Sequence, residues 1–130
     1  MAKFSQASKS KLATADRRLQ ELFNLVIKEH DCTVLYGHRS NEEQDELYRK
    51  GLSKLKGGQS SHNSNPSRAV DVVAYPINWK DYKRHYHFAG IVLGIASQLG
   101  IKIRWGGDWD MDDDLNDQTF NDLVHFEVIE

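Results

Sequence analysis

The chain has 130 residues, about the length of one domain, and can bury a single modest core. Its 39% hydrophobic and 28% charged residues exclude a disordered chain, and a net charge of −2 argues against a nucleic-acid binder, which would be strongly basic. The charge is uneven: residues 1–60 carry 11 Lys/Arg against 8 Asp/Glu and residues 61–130 carry 6 against 11, much of that acidity in GGDWDMDDDLNDQTFND.

In chain order, MAKFSQASKS lacks the apolar stretch of a signal peptide, and no segment approaches the run of about 18 apolar residues that a membrane span needs. A protein kept in the cytoplasm unless another agent releases it is therefore expected. Leu12, Ala15, Leu19, Leu22, Phe23 and Val26 recur at three- and four-residue intervals, which predicts one amphipathic helix within residues 5–29. CTVLYG reads as a short strand closed by Gly37, with Cys32 as a buried structural thiol; a single cysteine excludes an internal disulfide. In SNEEQDELYRKG, Ser40 and Glu43 match a capping box and Gly51 supplies a stop, so a helix is expected over 41–50.

LSKLKGGQSSHNSNPS is loop, and RAVDVVAY is a strand ended by Pro76. Ala89, Val92, Ala96 and Leu99 form a second helical stripe ended by Gly100; IKIRW is a strand, an acidic loop follows, and LVHFEVIE is the last strand. The order α-β-α-β-α-β-β is not a regular βαβ series. It predicts an α+β fold with helices packed on one face of a small, mostly antiparallel sheet. No repeat, low-complexity tract or linker divides the chain, so residues 1–130 are expected to form one domain.

Asp71 is the first residue whose place needs explaining. It lies between Val70 and Val72, where a buried, unpaired carboxylate would cost several kcal/mol. His125 sits in the apolar strand LVHFEV, on the opposite face from Val124 and Phe126, and Asp122 precedes it by three positions. His62 lies in the polar loop leading to the Asp71 strand. Two imidazoles and one carboxylate are a common ligand set for catalytic zinc, whose fourth position is left for water. On spacing alone, a plain buried ion pair of Asp71 with His125 explains the strands equally well. Of the other histidines, His30, His85 and His87 read as surface residues, and His38 in the YGHRS turn is ambiguous.

Ser60, His62, Ala69 and Asp71, followed by Asp122-x-x-His125-Phe126-Glu127, resemble the signature of a zinc peptidase family. That family contains D-Ala-D-Ala carboxypeptidases and dipeptidases of the VanY and VanX types and phage L-alanyl-D-glutamate peptidases used as endolysins. GHRSNEEQDELYRKG and IRWGGDWD look like landmarks of the phage branch, and the resemblance runs over about residues 34–128. It implies a Hedgehog/DD-peptidase-like fold in which His62, Asp71 and His125 bind one Zn²⁺. It further implies Asp122 as the acidic catalytic residue, a base and then an acid, Arg39 facing the substrate, and Ser60 contacting it. Arg39 has a plainer alternative, a salt bridge with Glu42 or Glu43 that fixes the turn. The chain departs from the family pattern in a His62–Asp71 interval longer by two residues, in Ser67 for a glycine, and in Val124 where a proline often stands.

The implied function is that of a phage-type endolysin cleaving the L-Ala–D-Glu bond of peptidoglycan stem peptides for host lysis. It would be a monomer without a separate wall-binding domain, bound to neither nucleic acid nor membrane, and released from the host cytoplasm by a holin-type partner. The alternatives are a D-Ala-D-Ala carboxypeptidase or dipeptidase, and a zinc-bearing binding domain without turnover. Asp108, Asp110 and Asp112 alternate like the first ligands of a calcium loop, but Gly at the sixth position and Glu at the twelfth are absent. A solvated acidic loop is the first reading there and a weak Ca²⁺ site the second. Trp109 is a candidate groove wall, and Trp105 is expected in the core.

Overall fold

The computed structural model describes residues 2–112 and 122–129. The expected α+β architecture is present: a four-stranded antiparallel sheet in the order β1-β2-β4-β3, built from β1 (Cys32–Tyr36), β2 (Ala69–Ala74), β3 (Ile103–Gly106) and β4 (Asp122–Val128). Helices α1 (Gln6–Leu12), α2 (Arg17–Glu29), α3 (Asn41–Arg49) and α4 (Tyr82–Leu99) complete it, with a 3₁₀ turn at Ser61–Asn63.

Strand alternation sorts the side chains. Cys32, Val34, Val70, Val72, Ile103, Trp105, Phe126 and Val128 join the core under α2 and α4, where Phe126 meets Phe23 and Phe88 edge-on at 5.6 and 6.2 Å between ring centres. The intervening positions, Asp71, Arg104, His125 and Glu127, line an open cleft on the other side. Cys32 is buried as expected, and burial pushes its thiol up to about 12, where it is chemically inert.

The single helix expected within residues 5–29 is two helices. The apolar stripe keeps its phase across the break, which hides it from a periodicity reading. Locally, Asp16 accepts the Arg18 amide hydrogen at 2.9 Å and starts α2 as its N-cap. The freed backbone at the break is not idle: Asp16 N–H donates to the Ser67 carbonyl at 2.7 Å and Ser67 N–H to the Thr14 carbonyl at 3.0 Å. The break thus anchors the segment joining the His62 turn to β2. Ser67 is fully buried, and its hydroxyl donates to the Ala69 carbonyl at 2.7 Å.

α3 begins with the expected capping box, Ser40 and Glu43 exchanging hydrogen bonds of 3.1 and 3.0 Å. α4 starts seven residues before the stripe that announces it, capped by Asp81, and ends at Gly100 in the left-handed conformation. His85 therefore falls inside the helix and is 4% exposed, stacked on Trp79. This corrects its expected surface position, whereas His87 is exposed. At the sheet's other end Gly106 opposes Asp122, and a Cβ on Gly106 would strike the Asp122 backbone, so glycine permits the close pairing that sets Asp122 at the cleft.

Candidate functional site

The cleft has a volume of about 880 Å³, and its floor is the pairing of β2 with β4. Antiparallel register sets Asp71 directly opposite His125, which brings together two residues 54 positions apart. His62 arrives from the 3₁₀ turn, whose N-cap is Ser60: the Ser60 hydroxyl accepts the His62 amide hydrogen at 3.1 Å. The turn is docked on the β1–α3 connection by the Arg39 amide, which donates to the His62 carbonyl at 2.9 Å. Beyond this turn the Ser64 hydroxyl lies within reach of the carbonyls of Ser61 and Pro66, at 3.1 and 3.0 Å, and can donate to either.

His62, Asp71 and His125 are all buried, and one ligand atom of each lies within 4.8 Å of the others. The Nδ1 of His62 is 2.8 Å from the Gly37 carbonyl, which can only accept, so this nitrogen carries a proton, and Nε2 is the one that faces Asp71 and would give its lone pair to a metal. That Nε2 is 3.2 Å from Asp71 Oδ1. The Nδ1 of His125 reaches the same oxygen at 3.4 Å, while its Nε2 is 2.7 Å from Glu127 Oε1. Two imidazole nitrogens and a carboxylate oxygen thus converge on one point, an arrangement that repels itself unless a positive charge sits among them. This donor set fits zinc: borderline-soft nitrogen plus one carboxylate, with room in the cleft for a fourth ligand. His62, Asp71 and His125 form the metal-binding triad of a zinc metallopeptidase.

In the metal-free chain the same groups balance one another as a buried ion pair. Burial raises the Asp71 carboxyl, but hydrogen bonds from His125 and His62 outweigh it and hold the group far below the usual carboxylate range. Burial lowers His125, yet its bonds to Asp71 and Glu127 prevail and push it up to about 9. Without metal, a proton takes the cation's place. A histidine whose folded pKa exceeds its unfolded value of about 6.5 stabilises fully below that value and loses its contribution as pH rises through the folded pKa. Chelator-treated protein should therefore lose thermal stability between about pH 6.5 and pH 9, whereas zinc-loaded protein should not. Paired melting curves by circular dichroism at the two pH values check this; equal drops with and without zinc would contradict it.

Around the triad, Asp122 Oδ2 lies 4.0 Å from His125 Nδ1, and its side chain is 36% exposed to the cleft. Burial and the negative charge of Asp71 raise its pKa. Arg39 is 7% exposed and contacts neither Glu42 nor Glu43 through its side chain among the described residues: Nη1 donates to Gln44 Oε1 at 2.8 Å and Nη2 to Asp71 Oδ2 at 3.4 Å. The turn-fixing alternative for Arg39 is thereby replaced by a place inside the site. Ser60 lines the cleft. Trp109 lines it too, its ring 5.2 Å from that of His125, while Trp105 is buried in the core as expected.

Two residues have no role assigned from the sequence, although Glu127 stands in the quoted signature. Gln44 is fully buried in α3; it accepts from Arg39 and donates to Ser53 Oγ and the Leu55 carbonyl, both at 2.8 Å, so it ties the arginine to the cleft wall. Glu127 holds His125. The available signal was alternation, since positions 125 and 127 must share a sheet face. His30 and His38 stand outside the triad; the Nδ1 of His38 is 2.9 Å from the Ser64 carbonyl. The carboxylates of Asp108, Asp110 and Asp112 also approach within 4.8 Å of one another, and residues 113–117 of the acidic loop lie outside the described residues. Acidic groups cluster in this way without an ion in many proteins, and nothing else at these three points to calcium.

Comparison with known proteins agrees with this geometry. The chain is 28% identical over 121 residues to the L-alanyl-D-glutamate peptidase of Escherichia phage T5, covering 89% of this chain and 88% of that one. It is 32% identical over 114 residues to the peptidoglycan L-alanyl-D-glutamate endopeptidase CwlK of Bacillus subtilis, covering 76% of this chain and 61% of that longer relative. Among solved structures, the Serratia marcescens L-Ala D-Glu endopeptidase ChiX superposes with a TM-score of 0.75 at 27% identity, over 98% of this chain and 91% of that one. The zinc complex of a mutant D,D-pentapeptidase VanY shares the fold, with a TM-score of 0.54 at 16% identity over 87% of this chain and 69% of that one. The profile of the phage L-alanyl-D-glutamate peptidases matches residues 1–129, and with its triad in place the chain belongs to that family.

Proposed function

We infer that the chain is a zinc-dependent endopeptidase that cleaves the L-Ala–D-Glu bond of peptidoglycan stem peptides. The observation that carries this is the convergence of His62, Asp71 and His125 within 4.8 Å, at the floor of an open cleft rimmed by Asp122. Relatives that bear this activity in their names supply the substrate class. Bound at the triad, Zn²⁺ supplies Lewis acidity and brings the pKa of a coordinated water down to about 7.

The chain's own residues do the rest. Asp122 Oδ2, on the open side of His125 Nδ1, takes a proton from the attacking water and returns it to the leaving amine. Burial and the negative charge of Asp71 raise its pKa, which favours taking up that proton. Arg39, fixed by Gln44, offers positive charge where oxyanion character develops on the scissile carbonyl. Trp109 gives an extended peptide a flat wall, and the Ser60 hydroxyl meets its backbone at the cleft edge.

Mass spectrometry of purified peptidoglycan digested by the protein, with and without a zinc chelator, tests the reading. Fragments that begin at D-glutamate and vanish with chelator are expected. Release of D-alanine alone would transfer the protein to the carboxypeptidases, and no product would leave a zinc-bearing binding domain. We assign the chain the role of a monomeric phage endolysin, reaching the wall from the host cytoplasm through a holin-type lesion. No helix among the described residues is long and apolar enough to cross a membrane. Cells expressing it should accordingly stay intact until their membrane is permeabilised with chloroform and then lyse; lysis without permeabilisation would contradict this route.

A further inference from the structure

We propose that Glu127 is the positioning residue of the metal centre: clamped by Arg104, it holds the Nε2 proton of His125 and thereby turns Nδ1, as a lone pair, toward the metal. This rests on the zinc reading above and adds to it the device that decides which nitrogen the second imidazole presents.

The two histidines of the triad offer opposite nitrogens, His62 through Nε2 and His125 through Nδ1. Each needs a partner that takes the proton of its other nitrogen. For His62 that partner is the Gly37 carbonyl, a backbone group just beyond the end of β1. Among the described residues no backbone carbonyl does this for His125. Its partner is a side chain two residues along β4, on the same face of the sheet: Glu127 Oε1, 2.7 Å from Nε2. A carboxylate can only accept from the ring, and the 2.7 Å contact of Nε2 with Glu127 is shorter than the 3.4 Å contact of Nδ1 with Asp71, so the proton is held on Nε2 and Nδ1 is the nitrogen available to a metal.

A flexible carboxylate can serve in this way only if it is itself held. Glu127 has 12% of its side chain exposed, and Arg104, its partner across the β3–β4 pair, donates from Nη2 to Oε2 at 3.1 Å. The Ser61 hydroxyl reaches Oε1 at 3.5 Å from the turn that carries His62. One carboxylate thus links β3, β4 and the His62 turn, and both of its oxygens are engaged. Such a partner orients the imidazole and raises its basicity as a ligand, and its loss typically weakens metal binding by about 10- to 100-fold.

The test compares wild-type protein with Glu127→Gln, a substitution that keeps size and shape but removes the obligate acceptor. Zinc affinity is read by competition with a chelating dye. A loss of about 10- to 100-fold is expected, with the metal-free variant retaining the wild-type circular dichroism spectrum. Unchanged affinity overturns the proposal. A second reading needs no variant: in ¹⁵N NMR of zinc-loaded wild type, the His125 ring should carry its proton on Nε2. A proton on Nδ1 overturns the proposal even if Glu127→Gln does not fold. Wild-type protein that binds no zinc at all removes the zinc reading and this one together, whereas a failure confined to Glu127 leaves the zinc reading standing.

Discussion

Replacing Asp122 by alanine should leave one zinc per chain and lower turnover by about 10²- to 10⁴-fold, the usual contribution of a positioned acid–base group. Both halves of this expectation come from where Asp122 sits. It is the first residue of β4, opposite Gly106, with 36% of its side chain exposed, so truncation removes no packed volume from the core. Its Oδ2 lies 4.0 Å from His125 Nδ1, farther than the 3.2 and 3.4 Å that separate the two ligand nitrogens from Asp71 Oδ1. The metal site should therefore survive while proton transfer fails. Zinc content by atomic absorption, read beside kcat on a stem-peptide substrate, checks both parts. A near-normal rate would mean the base lies elsewhere, and lost zinc would mean Asp122 supports His125 rather than the reaction.

The parts of this site legible in the sequence were those that violate a local rule. Asp71 between valines and His125 in an apolar strand are costly placements, and each required a compensating partner. The capping box at Ser40 and Glu43 was legible because it is written within four residues. Less legible was whatever depends on distant chain. Nothing near Ala13–Asp16 says that Ser67 will take up their backbone hydrogen bonds, so the break between α1 and α2 was concealed by a stripe that stays in phase. His85 is the instructive miss. Its spacing to Phe88, Ala89 and Val92 is that of a buried helical face, whereas the two-residue interval between His85 and His87 says only that the two point to different sides, not which of them is inside. Gln44 could not have been found by type, because a glutamine on a helix is usually solvated; only the cleft gives it Arg39 to hold.

His125→Ala should abolish both zinc binding and activity, the second large effect. It leaves His62 and Asp71 as the remaining protein ligands, too few for a stable tetrahedral site with an open position. It also reverses the local electrostatics. Asp71 is 8% exposed and keeps its charge through hydrogen bonds from His125 and His62, so losing the first leaves a buried carboxylate leaning on His62 and on the 3.4 Å contact with Arg39. Breaking such a buried pair from one side costs about 3–5 kcal/mol, enough to lower the melting temperature well below that of wild type. The variant must therefore be examined at a temperature where circular dichroism shows it folded. Asp71→Asn serves beside it, since it keeps the shape, removes the buried charge and still loses the anionic ligand. Folded His125→Ala that keeps stoichiometric zinc would dismantle the triad. Folded protein without zinc or turnover, matched by Asp71→Asn, would mean that the imidazole and the carboxylate are each indispensable to a three-ligand metal site.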